Sequence, residues 1–235
     1  MGFDLDRSDP TEAHTSSTVD QSIAGLRLHV LEMGALVIDQ VASAVRALLE
    51  RDVELAGVVL VREQRVDDYE RELDHDSLTF IALQKPVAND LRLARAIVRI
   101  SRELERAGDE AKKIARFARS LDNADPHDPV AGVARHLRHM AELSGSMLRN
   151  AVRAVDELDL HLASSVLSRD AELDAEFAAA LRQVMSYVLQ DHRFLRPTID
   201  TIFALKGLER IGDHAANIAE QVLYMLGEER AARAA

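Results

Sequence analysis

The chain has 235 residues, with 40 Asp and Glu against 29 Lys and Arg and a formal net charge of -11. Aromatic residues make up 4%, and Cys and Trp are absent, which excludes disulfides, thiolate metal sites and cysteine nucleophiles. The negative charge argues against nucleic-acid binding and against adhesion to anionic lipid by charge alone.

The segment "MGFDLDRSDPTEAHTSSTVD" at residues 1–20 lacks a basic start and an apolar run, so no secretory signal is expected. Asp6 stands where a myristoylation pattern needs Ser or Thr. No stretch reads as the roughly 20 apolar residues of a spanning helix. These features predict a cytoplasmic protein. Abundant Ala, Leu, Arg, Glu and Asp predict an all-α fold packed by aliphatic side chains.

After a polar segment, residues 1–19, expected to be mobile, six helices follow in chain order. The first runs from about Asp20 to Leu49, with Ile23, Leu26, Val30, Met33, Val37, Val41, Ala44 and Leu48 at three- and four-residue spacings. The second runs from about Asp52 to Leu83 and stops at "QKPVAND", where Pro86 disfavours a helical Lys85. The third runs from about Asn89 to Leu121, and "DNADPHDP", residues 122–129, reads as a linker. The fourth helix spans about Val130 to Val155, the fifth Asp159 to Leu189 and the sixth Leu195 to Leu226.

The third helix carries Leu93, Ile97, Ile100, Leu104, Ala107, Ala111, Ile114, Ala118 and Leu121 in alternating steps of four and three. The sixth answers with Thr201, Ala204, Leu208, Ile211, Ala215, Ile218, Val222 and Met225. This spacing predicts nearly parallel, coiled-coil-like helix packing. The expected architecture is two tandem three-helix bundles, residues 20–121 and 130–227, with a tail at 228–235.

"LERAGDEAKKIA", Leu104 to Ala115, returns 104 residues later as "LERIGDHAANIA", Leu208 to Ala219, with eight of twelve positions identical. Each copy stacks a Glu and an Asp one turn apart, Glu105 with Asp109 and Glu209 with Asp213, where a like-charge pair costs a few tenths of a kcal/mol. Phasing Leu104 as a core position puts these acids on the outer flank. Gly108 then lies between core and flank, with Ala94, Ser101 and Ala115 at the same phase, an edge kept clear for a close helix contact, which would also leave room beside the carboxylates. Helix two adds Glu63 and Asp67, and helix five adds Asp170 and Asp174 at matching places 107 residues on. The second acid follows a core residue in both, Val66 or Leu173.

If the flanks face each other, four carboxylates converge in each half. Unpartnered, they repel and raise one another's pKa; a hard cation with all-oxygen ligands resolves that. The bland reading is local neutralisation, of Asp67 by Arg71 and of Asp109 by Lys112 and Lys113. Glu70 with Asp74 shows that such pairs also arise by chance. Asp174 has no base three or four positions away, and Asp213 has only Arg210.

The duplicated E-R-x-G-D-x-A motif, with "ALQKPVANDLRLARAIVRISRELERAGD" at Ala82 to Asp109 and the run from Val188 to Ala219, resembles the PhoU family over about residues 20–227. The resemblance implies paired three-helix bundles related by a pseudo-twofold repeat. It also implies metal on the bundle surface, carried here by Glu63, Asp67, Glu105 and Asp109, then Asp170, Asp174, Glu209 and Asp213. The expected ion is iron, zinc, magnesium, manganese or calcium. The implied function is negative regulation of the phosphate-starvation response by a non-enzymatic adaptor. Its implied partners are the phosphate ABC transporter, through the ATPase subunit, and a membrane sensor histidine kinase, with peripheral membrane association through them. Homodimerisation stays open. Lys113 stands where the second copy has Asn217, and a lysine there could meet part of the first site's charge requirement.

The alternatives are a metal-dependent bundle enzyme, an oxidase or phosphohydrolase, and a metal-free helical scaffold. "ELDH", Glu72 to His75, is one Glu-x-x-His where di-iron enzymes use two, and no phosphate loop or Ser-His-Asp set is present. His136 and His139 read as solvated or capping residues, with metal binding at their three-residue spacing as the alternative; His214 beside Asp213 is a lesser candidate for the second site because it points about 100° away. Arg92, Arg95 and Arg99 read as a solvated basic stripe, with a docking surface for an acidic partner as the alternative.

Overall fold

The structure, a computed structural model, describes residues 10–120, 129–190 and 195–228. Among these residues the chain is helical apart from turns, in eight segments: α1 Pro10–Glu50, α2 Val53–Gln84, α3 Ala88–Ser120, α4 Pro129–Gly132, α5 Ala134–Glu157, α6 Leu160–Leu167, α7 Asp170–Gln190 and α8 Leu195–Met225. The expected linker at 122–129 lies outside them save for Pro129, as do Leu121, most of the tail at 228–235 and residues 1–9 of the expected mobile segment.

The helix boundaries follow local chemistry. Asp52 caps α2, its carboxylate accepting from the Leu55 N–H at 2.8 Å, and Lys85 ends the helix in a left-handed conformation, φ 49°, before Pro86. Asp159 caps α6 by accepting from His161 and Leu162 N–H, bonds that hold its carboxyl below the usual range.

Three expectations change. Residues 10–19, part of the segment expected to be mobile, are helical and continuous with the first helix. The fourth is divided at Val133, φ -105° and ψ 12°. The fifth is divided at Ser168–Arg169, where Ser164, Ser165 and Ser168 hydroxyls donate to carbonyls three or four residues back, competing with the ladder. That break makes Asp170 the first residue of α7.

From Thr18 to Glu50, α1 is also long and apolar enough to cross a membrane by length and composition, contrary to the expectation above. Its apolar side is spent on the core: Val30, Met33, Val37 and Ala44 are fully buried.

Helices α1, α2 and α3 pack against one another, α6 and α7 each pack against both α5 and α8, which also pack together, and the two sets meet through α3 with α8 and α1 with α5. The α3–α8 pairing is antiparallel: Arg95 lies over the Tyr224 ring at 4.7 Å, Glu103 accepts from Asn217, and Glu110 accepts from Arg210. The basic stripe is therefore partly a packing element. The predicted seams hold, with Ile97, Ile100, Leu104, Ala107, Ala111 and Ile114 buried against Ala204, Leu208, Ile211, Ala215 and Ile218 in one continuous core.

The motif glycines set the closest approaches. A Cβ added to Gly108 would stand 3.3 Å from Val66 Cγ1, and one on Gly212 would overlap Leu173 Cδ2. The edge that Gly108 shares with Ala94, Ser101 and Ala115 is buried, so α2 fills the space left by the small side chains. Gly212→Val should destabilise the protein by about 1–3 kcal/mol through overpacking, measured by urea unfolding. Gly25→Ala, on an exposed face with nothing within 4 Å, should add roughly 0.5–1 kcal/mol and serves as the control.

Candidate metal centres and the cleft between them

Asp67 directly follows Val66, and Asp109 directly follows Gly108, so the close contact between α2 and α3 fixes both acids at its rim. The second half repeats this with Leu173–Asp174 and Gly212–Asp213. In each predicted set the carboxylates are near enough to act on one another electrostatically.

In the first set, burial pushes the Glu105 carboxyl above its ordinary value, and the charges of Asp109, Asp67, Glu70 and Glu63 push it further. Glu63 is buried with Oε1 unpartnered. Lys112 bridges Glu63 and Asp109, the latter at 3.3 Å. Burial also raises Glu63, with Lys112 acting against it. Lys112 itself is lowered by burial, but the two carboxylates hold it above its usual value.

The lysine that meets this site's charge is thus Lys112 rather than Lys113. Lys113 pairs with Glu110 at 2.9 Å. Arg71 does not neutralise Asp67; its guanidinium bonds the Asp67 backbone carbonyl and the Asp68 carboxylate. The chance pair Glu70 and Asp74 faces Arg102 at 3.7 and 3.8 Å.

The second set is less compensated. Burial raises Asp213, followed by Glu209 and Asp170, with Lys206 pulling down and Asp174 adding to the rise. Burial, Asp174 and Glu209 raise Asp170 in turn. Lys206 pairs with Glu209, whereas Asp170, Asp174 and Asp213 have no ion-pair partner among the described residues. Arg210, the base expected near Asp213, turns to Glu110 at 3.2 Å.

Among the described residues no three acidic, His or Cys side chains stand together in ligating geometry. In the first set Lys112 occupies the space between two of the donors. In the second, Asp170, Asp174 and Asp213 offer carboxylate oxygens without an ion-pair partner among the described residues, the donor type that hard cations take.

Between the two sets lies a cleft of about 410 Å³ on the α3–α8 boundary, with Asp109 and Asp213 both on its wall. Its polar contacts come from positions where the repeat has diverged. Glu103, with Gly207 as its counterpart, accepts from His214 and Asn217 at 2.9 Å each. Burial would raise Glu103, but these bonds win and hold it below its ordinary value. His214 thus joins the halves rather than the second acid set. Glu110, the counterpart of His214, accepts from Lys113 and Arg210. The flank phase placed the acids but carried no signal for these cross-bundle partners.

His136 is buried, contrary to the solvated reading. Nδ1 stands 2.6 Å from Glu176 Oε1 and Nε2 2.9 Å from Gln183 Oε1. The Gln183 amide donates to the Gly132 carbonyl, so both ring nitrogens face acceptors.

The PhoU domain model matches residues 30–118 and 137–222. A Pseudomonas putida protein named "Phosphate-specific transport system accessory protein PhoU homolog" is 38% identical over 213 residues, 91% of this chain and 82% of that one. The Caulobacter vibrioides protein of the same name is 37% identical over 217 residues, covering 92% and 93%. The crystal structure of PhoU from Pseudomonas aeruginosa superposes with a TM-score of 0.83 at 37% identity, over 88% of this chain and 98% of that one.

Because the Asp170 and Asp213 pKa values are raised on folding, the folded state binds more protons between the unfolded value and the raised one. Stability therefore falls as pH climbs through that window and returns on acidification. With chelator present, Asp213→Asn should stabilise the protein at neutral pH by about 0.3–0.5 kcal/mol. That advantage should shrink as pH is lowered through the window, as urea unfolding at several pH values will show.

Proposed function

The chain belongs to the PhoU family, and we propose that it is a non-enzymatic accessory regulator of phosphate transport that restrains the phosphate-starvation response. In this reading it is a cytoplasmic adaptor, held at the membrane only through protein partners. Those partners are the ATPase subunit of a phosphate ABC transporter and a membrane sensor histidine kinase. The observation that carries the reading is the duplicated motif on two antiparallel helices, matched by PhoU domains in both halves. In support, its polar groups line an open cleft and two rims. Co-purification from phosphate-replete cells, with mass-spectrometric identification, should recover the transporter ATPase and the kinase. Recovery of neither, or robust oxidase or phosphatase turnover with iron or manganese supplied, would overturn the adaptor reading.

Within this function, Asp170, Asp174, Glu209 and Asp213 would hold a hard cation. Bound there, the ion supplies positive charge and ties the start of α7 to the middle of α8. The chain's own part is to hold these acids at the rim of the Gly212–Leu173 contact, outside the seam. Asp174→Asn with Asp213→Asn should lower metal content by elemental analysis and leave helical circular dichroism unchanged. Unchanged metal stoichiometry would remove these residues from the site.

A further inference from the structure

The α1–α5 contact differs between its two ends. A shift of 107 residues relates these helices, matching His29 to His136, Met33 to Met140, Arg46 to Arg153 and Asp52 to Asp159. In that register the Gly34–Val152 contact has Ala141–Val45 as its counterpart. At Gly34 the helices touch: an added Cβ would stand 2.8 Å from Val152 Cγ1. At the other end Ala141 stands at the position matching Gly34. Ala141 and Val45 there line a cleft of about 530 Å³.

Arg46, Arg138 and Arg149 line the same cleft, with Glu50 and Glu142. Among the described residues none of these three guanidinium groups has an ion-pair or hydrogen-bond partner. This holds although Glu50 and Glu142 follow Arg46 and Arg138 by one helical turn. The counterpart of Arg46 behaves differently, since Arg153 Nε donates to Glu157 Oε1 at 2.7 Å. Arg149 folds back over Gly145, where an added Cβ would stand 3.3 Å from its Nη1.

The geometry points to a binding site for a compound with two or more linked phosphates. A guanidinium fork matches two oxygens of a phosphate group, and three forks from two helices match a chain of phosphates better than a single anion. Glu50 and Glu142 select against weakly charged ligands, because only a polyanion outweighs their repulsion. The volume lies within the roughly 300–1,000 Å³ of small-molecule sites. Ala42, Val45, Leu49 and Ala141 give one apolar wall that an organic body could cover. The cleft shares no residue with the acidic sets, so its test does not depend on the adaptor reading.

Titration calorimetry of the full chain at low salt, with chelator present, compares pyrophosphate and ADP. Binding of at least one is expected. Arg138→Gln with Arg149→Gln should weaken it about tenfold or more, and Glu142→Gln should tighten it. The melting temperature should stay unchanged, since these side chains are exposed. Tighter ADP binding assigns an organic phosphate, and tighter pyrophosphate binding an inorganic chain. Absence of binding for both, or an unchanged affinity in the double variant, would overturn the site.

Discussion

The contact of each motif helix with its neighbour, Gly108 on Val66 and Gly212 on Leu173, is the constraint from which the acidic clusters follow. Each glycine is followed at once by an aspartate, and so is each residue it packs on. The turn that makes the packing contact therefore also places the carboxylates, and the two cannot be varied separately. A glycine inside a helix costs about 1 kcal/mol, and a like-charge pair one turn apart a few tenths. Both are small beside the burial of Leu104, Leu208 and their seam partners, each large side chain contributing about 1.5–3 kcal/mol.

The repeat has diverged where its halves meet. Two identical motif faces, related by an antiparallel crossing, would bring like groups together: Arg106 and Arg210, Asp109 and Asp213 all line one cleft. Substitution on one side relieves this. Glu103 and Glu110 sit on α3, and the groups that bond them across the boundary, His214, Asn217 and Arg210, sit on α8. The junction is thus complementary rather than symmetric, which favours one register of the two halves.

The seams, the Pro86 stop, the Asp52 cap and the flank position of the paired acids were legible because each depends on spacing within a helix. What spacing cannot show is which neighbour a flank group reaches. Lys112 and Lys113 are adjacent in sequence, yet one turns to Glu63 and the other to Glu110; only the position of α2 separates them. Arg210 was the expected partner of Asp213 and left it for Glu110 across the bundle boundary. The break at Ser168 was hidden because apolar periodicity continues through Val166 and Leu173, both buried.

That divided helix and the placement of lysines make the two acidic sets physically unequal. In the first, Glu63 lies within α2, far from either end, and Lys112 supplies the positive charge covalently. In the second, Asp170 begins α7, where the helix dipole favours a negative charge, and position 216, the counterpart of Lys112, is Ala. Lys206 pairs with Glu209 and only partly offsets Asp213, and the three aspartates have no ion-pair partner among the described residues. One set therefore carries an ammonium between two of its carboxylates, whereas in the other the ammonium pairs with Glu209 alone.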